Sequence, residues 1–232
     1  MVRTVKIKAI VFDLDSTLIE TSVDFPKMKR NMINELEKNG YPRDKLSPTN
    51  QTTVQILEEV EKYWDKTEKP EEEREKILEK MDFFMNQGEL ESIKNLKEIP
   101  GAAWAIKKLK EMGYKLAILT RGHNEYAVEA LEKIGVKDHF DLILGRGETP
   151  KPKPYPEALL YTAERLGVDI SETVMVGDHQ IDSDSASSSG CDFIGVATGR
   201  RGLRSWTNEM PPPVLLDSVK ELPEYLKTLQ RV

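Results

Sequence analysis

Short apolar segments alternate with longer amphipathic segments along most of the chain. Ala9–Phe12 is an apolar, β-rich run too short for a helix, and it predicts a strand buried on both faces. Further short apolar runs, separated by stretches of helical spacing, lie at 115–119, 141–144, 173–176, 193–196 and 214–216. Such alternation predicts an α/β fold, a Rossmann-like doubly wound parallel sheet wrapped by helices through right-handed crossovers.

The stretch from about 21 to 96 breaks this alternation, because its apolar residues recur at helical spacing throughout. Gly40-Tyr41-Pro42 and Lys69-Pro70 divide it into three predicted helices. Since it follows the first strand directly, it predicts a helical domain of residues 21–96 inserted into an α/β core domain of residues 1–20 and 97–232. A chain of 232 residues is long enough for two such unequal domains.

Charge and composition restrict the partners that we expect. The chain carries 34 Lys and Arg against 40 Asp and Glu, a net charge of −6, so we expect no nucleic-acid partner. Its single cysteine, Cys191, excludes an internal disulfide bond and fits a reducing compartment. Because we find no signal-peptide pattern and no long apolar run, we expect a cytoplasmic protein without a membrane partner. The sequence leaves a monomer and a homodimer open.

Carboxylates stand where two of the predicted strands leave the sheet. Asp13 and Asp15 follow the first strand directly, and Asp178 and Asp182 follow the strand at 173–176. Ligands of open α/β sheets bind outside the carboxyl ends of the strands, so these four carboxylates could converge at one edge. Such a cluster requires a cation to relieve its repulsion, and Mg²⁺ suits it because this ion also takes phosphate oxygens. Taken alone, the first pair is also compatible with an ordinary capping turn.

Two further strand ends carry groups that suit a phosphate. Thr120, Arg121 and Gly122 follow the strand at 115–119, just before a predicted helix. A hydroxyl with backbone N–H groups at a helix N-terminus forms a phosphate cradle, although a plain capping turn also explains this motif alone. Lys151 and Lys153 alternate with prolines that stiffen the backbone, and a lysine held in this way neutralises phosphate or keeps nearby carboxylates ionised.

The strand-end motifs occur in a fixed order along the chain. They read Phe12-Asp13-Leu14-Asp15-Ser16-Thr17-Leu18, Leu119-Thr120-Arg121-Gly122, Lys151-Pro152-Lys153-Pro154 and Val176-Gly177-Asp178-His179-Gln180-Ile181-Asp182. In this order they resemble the four motifs of the haloacid dehalogenase superfamily of aspartate-nucleophile phosphatases. The helical insertion after the first motif is similar to the cap of the phosphoglycolate phosphatase-like branch, so the resemblance implies that residues 21–96 form a cap domain.

The resemblance implies an Mg²⁺-dependent phosphatase that hydrolyses a small phosphate monoester through an aspartyl-phosphate. Asp13 would be the nucleophile and Asp15 the general acid and base. Phosphate or substrate would be held by Thr120, by Gly122, by Lys151 and by Arg121, unless Arg121 points to solvent. Lys151 is preferred over Lys153 because the family pattern places its lysine ahead of the first proline. The metal would be held by Asp13, the backbone carbonyl of Asp15, Asp178 and Asp182, with Asp182 either a ligand or a residue that orients one.

Other functions remain open for the same motifs. A sugar-phosphate mutase would use the same site and return the phosphoryl group to its substrate. A 2-haloacid dehalogenase lacks the second aspartate, so Asp15 favours phosphate esters, and a receiver-type phospho-binding module would not carry its aspartate beside a general acid on the first strand. A nucleotide-binding oxidoreductase would need a glycine-rich turn after that strand. The expected partner is a small phosphorylated metabolite whose identity the sequence does not reveal, and no role is predicted for the arginine-rich segment 200–204.

Overall fold

The computed structural model describes residues 7–199, 206 and 212–229 of the chain, so the arginine-rich segment 200–204 lies outside the described residues. The chain divides into two compact units, one of Met1–Thr21 with Asn95–Val232 and the other of Ser22–Lys94. We call the first the α/β unit and the second the helical unit. The sequence predicts the corresponding boundaries after residues 20 and 96.

The described residues contain eight strands, all of them in the α/β unit. They are β1 (Ala9–Phe12), β2 (Ile19–Glu20), β3 (Lys97–Glu98), β4 (Lys115–Leu119), β5 (Leu142–Leu144), β6 (Thr173–Gly177), β7 (Asp192–Val196) and β8 (Leu215–Leu216). Six of them form one sheet in the order β5-β4-β1-β6-β7-β8, and every neighbouring pair in it is parallel. β2 and β3 pair with each other in antiparallel fashion. This architecture confirms the predicted α/β fold with a parallel sheet.

The strand order places β1 at the point where the chain reverses its direction across the sheet. From β1 the chain builds β4 and then β5 on one side, and it returns to build β6, β7 and β8 on the other. All four residues of β1 are fully buried, as predicted for a strand covered on both faces. A crevice forms outside the carboxyl end of the strand at such a reversal, which makes the end of β1 the expected binding position.

The register of the central strands aligns their carboxyl ends. Phe12, the last residue of β1, pairs with Ile118 of β4 and with Val176 of β6. Just beyond the strand, the backbone N–H of Asp13 donates to the carbonyl of Val176 at 2.9 Å. The residues that follow β1, β4 and β6 are therefore brought to one edge of the sheet.

Eight helices of at least two turns accompany these strands in the described residues. They are α1 (Phe25–Lys38), α2 (Thr53–Lys66), α3 (Glu71–Ser92), α4 (Ala102–Glu111), α5 (Asn124–Lys133), α6 (Pro156–Leu166), α7 (Gln180–Ser189) and α8 (Leu222–Leu229). None of the described helices has an apolar stretch long enough to cross a membrane.

The helical unit consists of α1, α2 and α3 around its own apolar core. The Thr52 hydroxyl caps the start of α2 in a capping box with Gln55, and Asp24 caps α1. The amphipathic faces of the three helices meet at buried side chains that include Met32, Trp64 and Met81. The three helices expected between 21 and 96 are all present, and their packing against one another explains why this segment forms a separate compact unit.

Candidate active site

Three aspartate carboxyl groups meet at the carboxyl ends of β1 and β6. Asp13 follows β1, Asp178 follows β6, and Asp182 lies in the first turn of α7. Carboxylate oxygens of the three residues all lie within 4.8 Å of one another. Asp178 and Asp182 are buried, and the Asp13 side chain is 13% exposed. The structure thus brings together three of the four carboxylates that were expected to converge.

Lys153 reaches this cluster from the proline-rich segment that follows β5. Its Nζ donates to Oδ1 of Asp13 at 2.7 Å and to Oδ1 of Asp182 at 2.6 Å, and its side chain is 2% exposed. Burial by itself would lower the pKa of Lys153, but the two carboxylates outweigh this effect and raise its pKa above the usual lysine value. Lys153 is therefore a firmly protonated cation beside Asp13.

Lys151, the lysine preferred from the sequence, does not enter this cluster. Its exposed side chain pairs with Oε1 of Glu157 at 2.7 Å, and its Nζ lies 5.3 Å from the centre of the Tyr155 ring. The backbone turns just after it, where the N–H of Tyr155 donates to the carbonyl of Pro152 at 3.0 Å. Lys153 lies within this turn, and its side chain is the one directed toward the three aspartates. The structure therefore corrects the choice between the two lysines.

The three carboxyl groups carry more negative charge than their surroundings offset. Burial raises the pKa of Asp178 to about 8, and repulsion from Asp13 and Asp182 acts in the same direction. Burial also raises the pKa of Asp13 to about 6, with Lys153 opposing the shift and Asp182 adding to it. A divalent cation would relieve this repulsion, and oxygen ligands are those that Mg²⁺ prefers. The residues present fit a divalent metal ion.

Asp182 owes its position to the start of α7. Its Oδ2 accepts a hydrogen bond from the backbone N–H of His179 at 3.2 Å, as part of a capping box that begins the helix. The backbone of Gly177 passes so close that a Cβ atom there would overlap the carboxyl group of Asp182. The last residue of β6 must be glycine for Asp182 to occupy this position.

We expect Gly177→Ala to destabilise the protein by about 1–3 kcal/mol, because the added methyl group overpacks a buried site and displaces Asp182. Thermal or urea-induced unfolding measures the change. Ser187→Ala, on the exposed face of the same helix, is the control, and a surface change of this kind stays within about 0.5 kcal/mol. Equal stability of the two variants would contradict this account of Gly177.

Asp15 lies beside the cluster, and its carboxyl group has different partners. Oδ1 of Asp15 accepts a hydrogen bond from the Tyr126 hydroxyl at 2.8 Å and another from the Thr21 hydroxyl at 3.0 Å. These contacts hold the fourth predicted carboxylate apart from the three that could share a metal ion through their side chains. The backbone carbonyl of Asp15 remains the predicted metal ligand at this position.

The turn between β1 and β2 holds Asp15 in place. Ser16 adopts a left-handed conformation with φ of 63°, which a residue other than glycine adopts only when its neighbours secure it. Here the N–H of Ser16 donates to the carbonyl of Ile19 at 2.7 Å, and the hydroxyl of Thr198 donates to the carbonyl of Ser16 at 2.6 Å. Thr198 follows β7, so the opposite half of the sheet helps to shape this turn.

The loop after β4 carries the expected phosphate cradle residues. Thr120 is buried, and its Oγ1 accepts a hydrogen bond from the N–H of Gly122 at 3.0 Å. Gly122 is buried against the ring of Tyr126, and Arg121 is exposed. Helix α5 begins two residues later, so the loop lies at a helix N-terminus as predicted.

A cavity of about 430 Å³ opens beside the turn of Asp15, within the α/β unit. Its lining includes Ser16, Thr21 and Thr198, together with the apolar residues Ile99 and Pro100. The cavity provides a largely apolar space, with a few hydroxyl groups, for a small ligand next to the candidate acid.

The sequence alone does not single out Tyr126, Thr21 or Thr198. A buried tyrosine requires a partner for its hydroxyl, and this requirement is the one signal that Tyr126 offers. That signal does not name the partner, which lies 111 residues earlier in the chain. The contacts of Thr21 and Thr198 depend on the turn after β1 and leave no pattern in the sequence.

Comparisons with solved structures agree with this fold. A predicted phosphoglycolate phosphatase from Haemophilus somnus 129pt is similar with a TM-score of 0.63 at 23% identity, covering 94% of this chain and 97% of the other. A β-phosphoglucomutase from Clostridium difficile is similar with a TM-score of 0.67 at 22% identity, covering 97% of each chain. At these identities the likeness establishes the fold alone.

Comparisons of sequence identify relatives as well as the fold. A phosphoglycolate phosphatase from Neisseria meningitidis serogroup A is 28% identical over 234 residues, which cover 95% of this chain and 94% of the relative. The profile of the haloacid dehalogenase-like hydrolases matches residues 10–196, a range that contains Asp13, Thr120, Lys153 and Asp178. Because this match spans most of the chain and all four strand-end motifs, the chain belongs to the haloacid dehalogenase-like hydrolase family, as the resemblance of its motifs implied.

Proposed function

We propose that this protein is an Mg²⁺-dependent phosphatase, which hydrolyses a small phosphate monoester through an aspartyl-phosphate on Asp13. The observation that carries the proposal is the contact of Asp13 with a buried, protonated Lys153 beside two further carboxyl groups. The similarity to a phosphoglycolate phosphatase supports hydrolysis of a phosphate ester.

Asp13 is the proposed nucleophile. Its carboxylate attacks phosphorus in line, the P–O bond to the leaving group breaks, and the reaction is split into two displacements with lower barriers. Lys153 holds Oδ1 of Asp13 at 2.7 Å and would carry its positive charge next to the transferring phosphoryl group. Positioning and charge neutralisation account for most of the catalysis in reactions of this type.

Asp15 is the proposed general acid and base. It would give a proton to the leaving oxygen in the first displacement and take one from the attacking water in the second. Its carboxyl group follows the nucleophile by two residues and is held by two hydroxyl donors, which supports this role. Thr120 and the N–H groups at the start of α5 would hold the phosphoryl oxygens.

Asp13, Asp178 and Asp182 are the proposed side-chain ligands of the metal ion, with the backbone carbonyl of Asp15. When bound, Mg²⁺ would neutralise charge on the phosphoryl oxygens. The helical unit would serve as the cap that limits the substrates to small metabolites, a role supported by its insertion directly after β2. The cytoplasmic location and the state as a monomer or homodimer stay predictions.

Removing divalent metal ions with EDTA is expected to abolish phosphate release, and adding Mg²⁺ is expected to restore it. Mg²⁺ should also raise the melting temperature of the parent, because an ion that binds only the folded state stabilises it. In Asp178→Asn this thermal shift should be lost. Undiminished activity in EDTA, or an equal thermal shift in the variant, would contradict the metal site.

Phosphate release from p-nitrophenyl phosphate and from a set of small phosphorylated metabolites tests the proposed function itself. A hydrolase releases one inorganic phosphate for each ester consumed. A mutase instead returns the phosphoryl group to its substrate and leaves free phosphate far below this ratio. Stoichiometric release supports the proposal, and isomerised phosphate esters without free phosphate would overturn it in favour of a mutase.

A further inference from the structure

Tyr126 contacts both of the motif-bearing loops that follow β1 and β4. It lies in the first turn of α5, and it is among the largest side chains of the fold that are fully buried, with an exposure of 1%. Its ring lies against Gly122, where a Cβ atom would be 3.0 Å from the ring carbon Cδ1. Its hydroxyl donates to Oδ1 of Asp15 at 2.8 Å. The tyrosine thus joins the phosphate cradle to the candidate acid.

Two hydroxyl groups donate to the same oxygen of Asp15. Thr21, the residue after β2, donates at 3.0 Å, and Tyr126 donates from the buried face of a helix. Hydrogen bonds to a carboxylate oxygen restrict the rotation of the group, and those from a tightly packed donor do so most. Because both donors act on Oδ1, together they hold the carboxyl group of Asp15 in one orientation.

We propose that Tyr126 is a positioning residue for proton transfer by Asp15. Its hydrogen bond fixes the orientation in which the carboxyl group of Asp15 delivers its proton to the leaving oxygen of the ester. In this step the bond between Asp13 and phosphorus forms, the ester P–O bond breaks, and the proton passes from Asp15 to the leaving oxygen. Tyr126 keeps its own proton throughout. This inference rests on the function proposed above and adds a residue that the four motifs do not contain.

The role predicts a dependence on the leaving group. A p-nitrophenolate ion leaves without a proton, whereas phenolate is a poorer leaving group and benefits from general acid catalysis. Loss of orientation at Asp15 should therefore slow phenyl phosphate much more than p-nitrophenyl phosphate. A general loss of structure at the site would slow both esters equally, since they differ only at the ring substituent.

The experiment compares kcat/KM for these two esters in Tyr126→Phe, which keeps the buried ring and removes the hydroxyl. We expect a loss of about 10-fold or more with phenyl phosphate and a loss of less than about 3-fold with p-nitrophenyl phosphate. Tyr114→Phe removes the hydroxyl of another buried tyrosine of the α/β unit and should leave the ratio of the two values unchanged. Thr21→Val, which removes the second donor to Oδ1, should shift the ratio in the direction of Tyr126→Phe.

Asp15→Asn, measured with the same two esters, separates failure of this inference from failure of the proposed function. If Asp15→Asn is selective against phenyl phosphate and Tyr126→Phe slows both esters equally, the positioning role is overturned and the proposed function stands. If Asp15→Asn itself slows both esters equally, its role as general acid is overturned together with that of Tyr126. Selective loss in both variants supports the inference.

Discussion

Replacing Asp13 with asparagine is expected to abolish phosphate release and to leave the fold intact. Asparagine keeps the shape of the side chain but removes the charge that attacks phosphorus, so no aspartyl-phosphate forms. Loss of a nucleophile lowers kcat by roughly 10⁴-fold or more in enzymes where it has been removed. Phosphate release from p-nitrophenyl phosphate in saturating Mg²⁺ measures the loss.

The fold of this variant is expected to be at least as stable as that of the parent. The pKa of Asp13 is raised by burial, which means that its ionised form is disfavoured in the folded protein, and asparagine carries no charge. Asp138→Asn, a change of the same type at an exposed position, is the control and should keep full activity. Full activity of the Asp13 variant would contradict the assignment of Asp13 as the nucleophile.

Replacing Lys153 with methionine is expected to cause a large loss of both stability and activity. The lysine pairs with two buried carboxylates, and removing one partner of a buried ion pair costs about 3–5 kcal/mol because the remaining charge loses its compensation. Removal of a group that stabilises transition-state charge lowers kcat by roughly 10²–10³-fold. Urea-induced unfolding in EDTA and phosphate release in Mg²⁺ measure the two effects.

Lys151→Met is the matched control for Lys153→Met, because it makes the same change two residues earlier. Lys151 is exposed and pairs with Glu157 at the surface, where such pairs contribute little. We expect its stability and activity to remain close to those of the parent. If Lys151→Met lost more activity than Lys153→Met, the assignment of the lysine beside Asp13 would be wrong.

Most of the α/β unit could be predicted from the sequence because its strands are short apolar runs between amphipathic helices. Asp13 and Asp178 could also be predicted to approach each other, since aligned parallel strands bring the residues after them to one edge of the sheet. β2 and β3 could not be predicted in this way. Each has two residues, too few for any periodicity. In the sequence, the whole helical unit lies between these two paired strands.

Some details of the site could not be predicted, because they depend on backbone turns and on contacts between residues that are far apart in the sequence. Two lysines in the proline-rich segment suit the cluster equally by composition, and only the turn between Pro152 and Tyr155 decides that Lys153 points inward. The partner of Asp15 is a tyrosine on α5 whose hydroxyl has no distinguishing neighbours in the sequence. Helix α8 was not predicted because its eight residues cover little more than two turns.

The central claim, that Asp13 becomes covalently phosphorylated, is tested most directly by trapping the intermediate. Asp15→Asn would still react with p-nitrophenyl phosphate, whose leaving group needs no acid, but it lacks the base for the second step. Acid quenching followed by peptide mass spectrometry is predicted to find a phosphoryl group on Asp13, absent when Asp13→Asn is added. A phosphoryl group on another residue, or release of p-nitrophenolate by Asp15→Asn with no phosphorylated Asp13 at any time, would contradict the account.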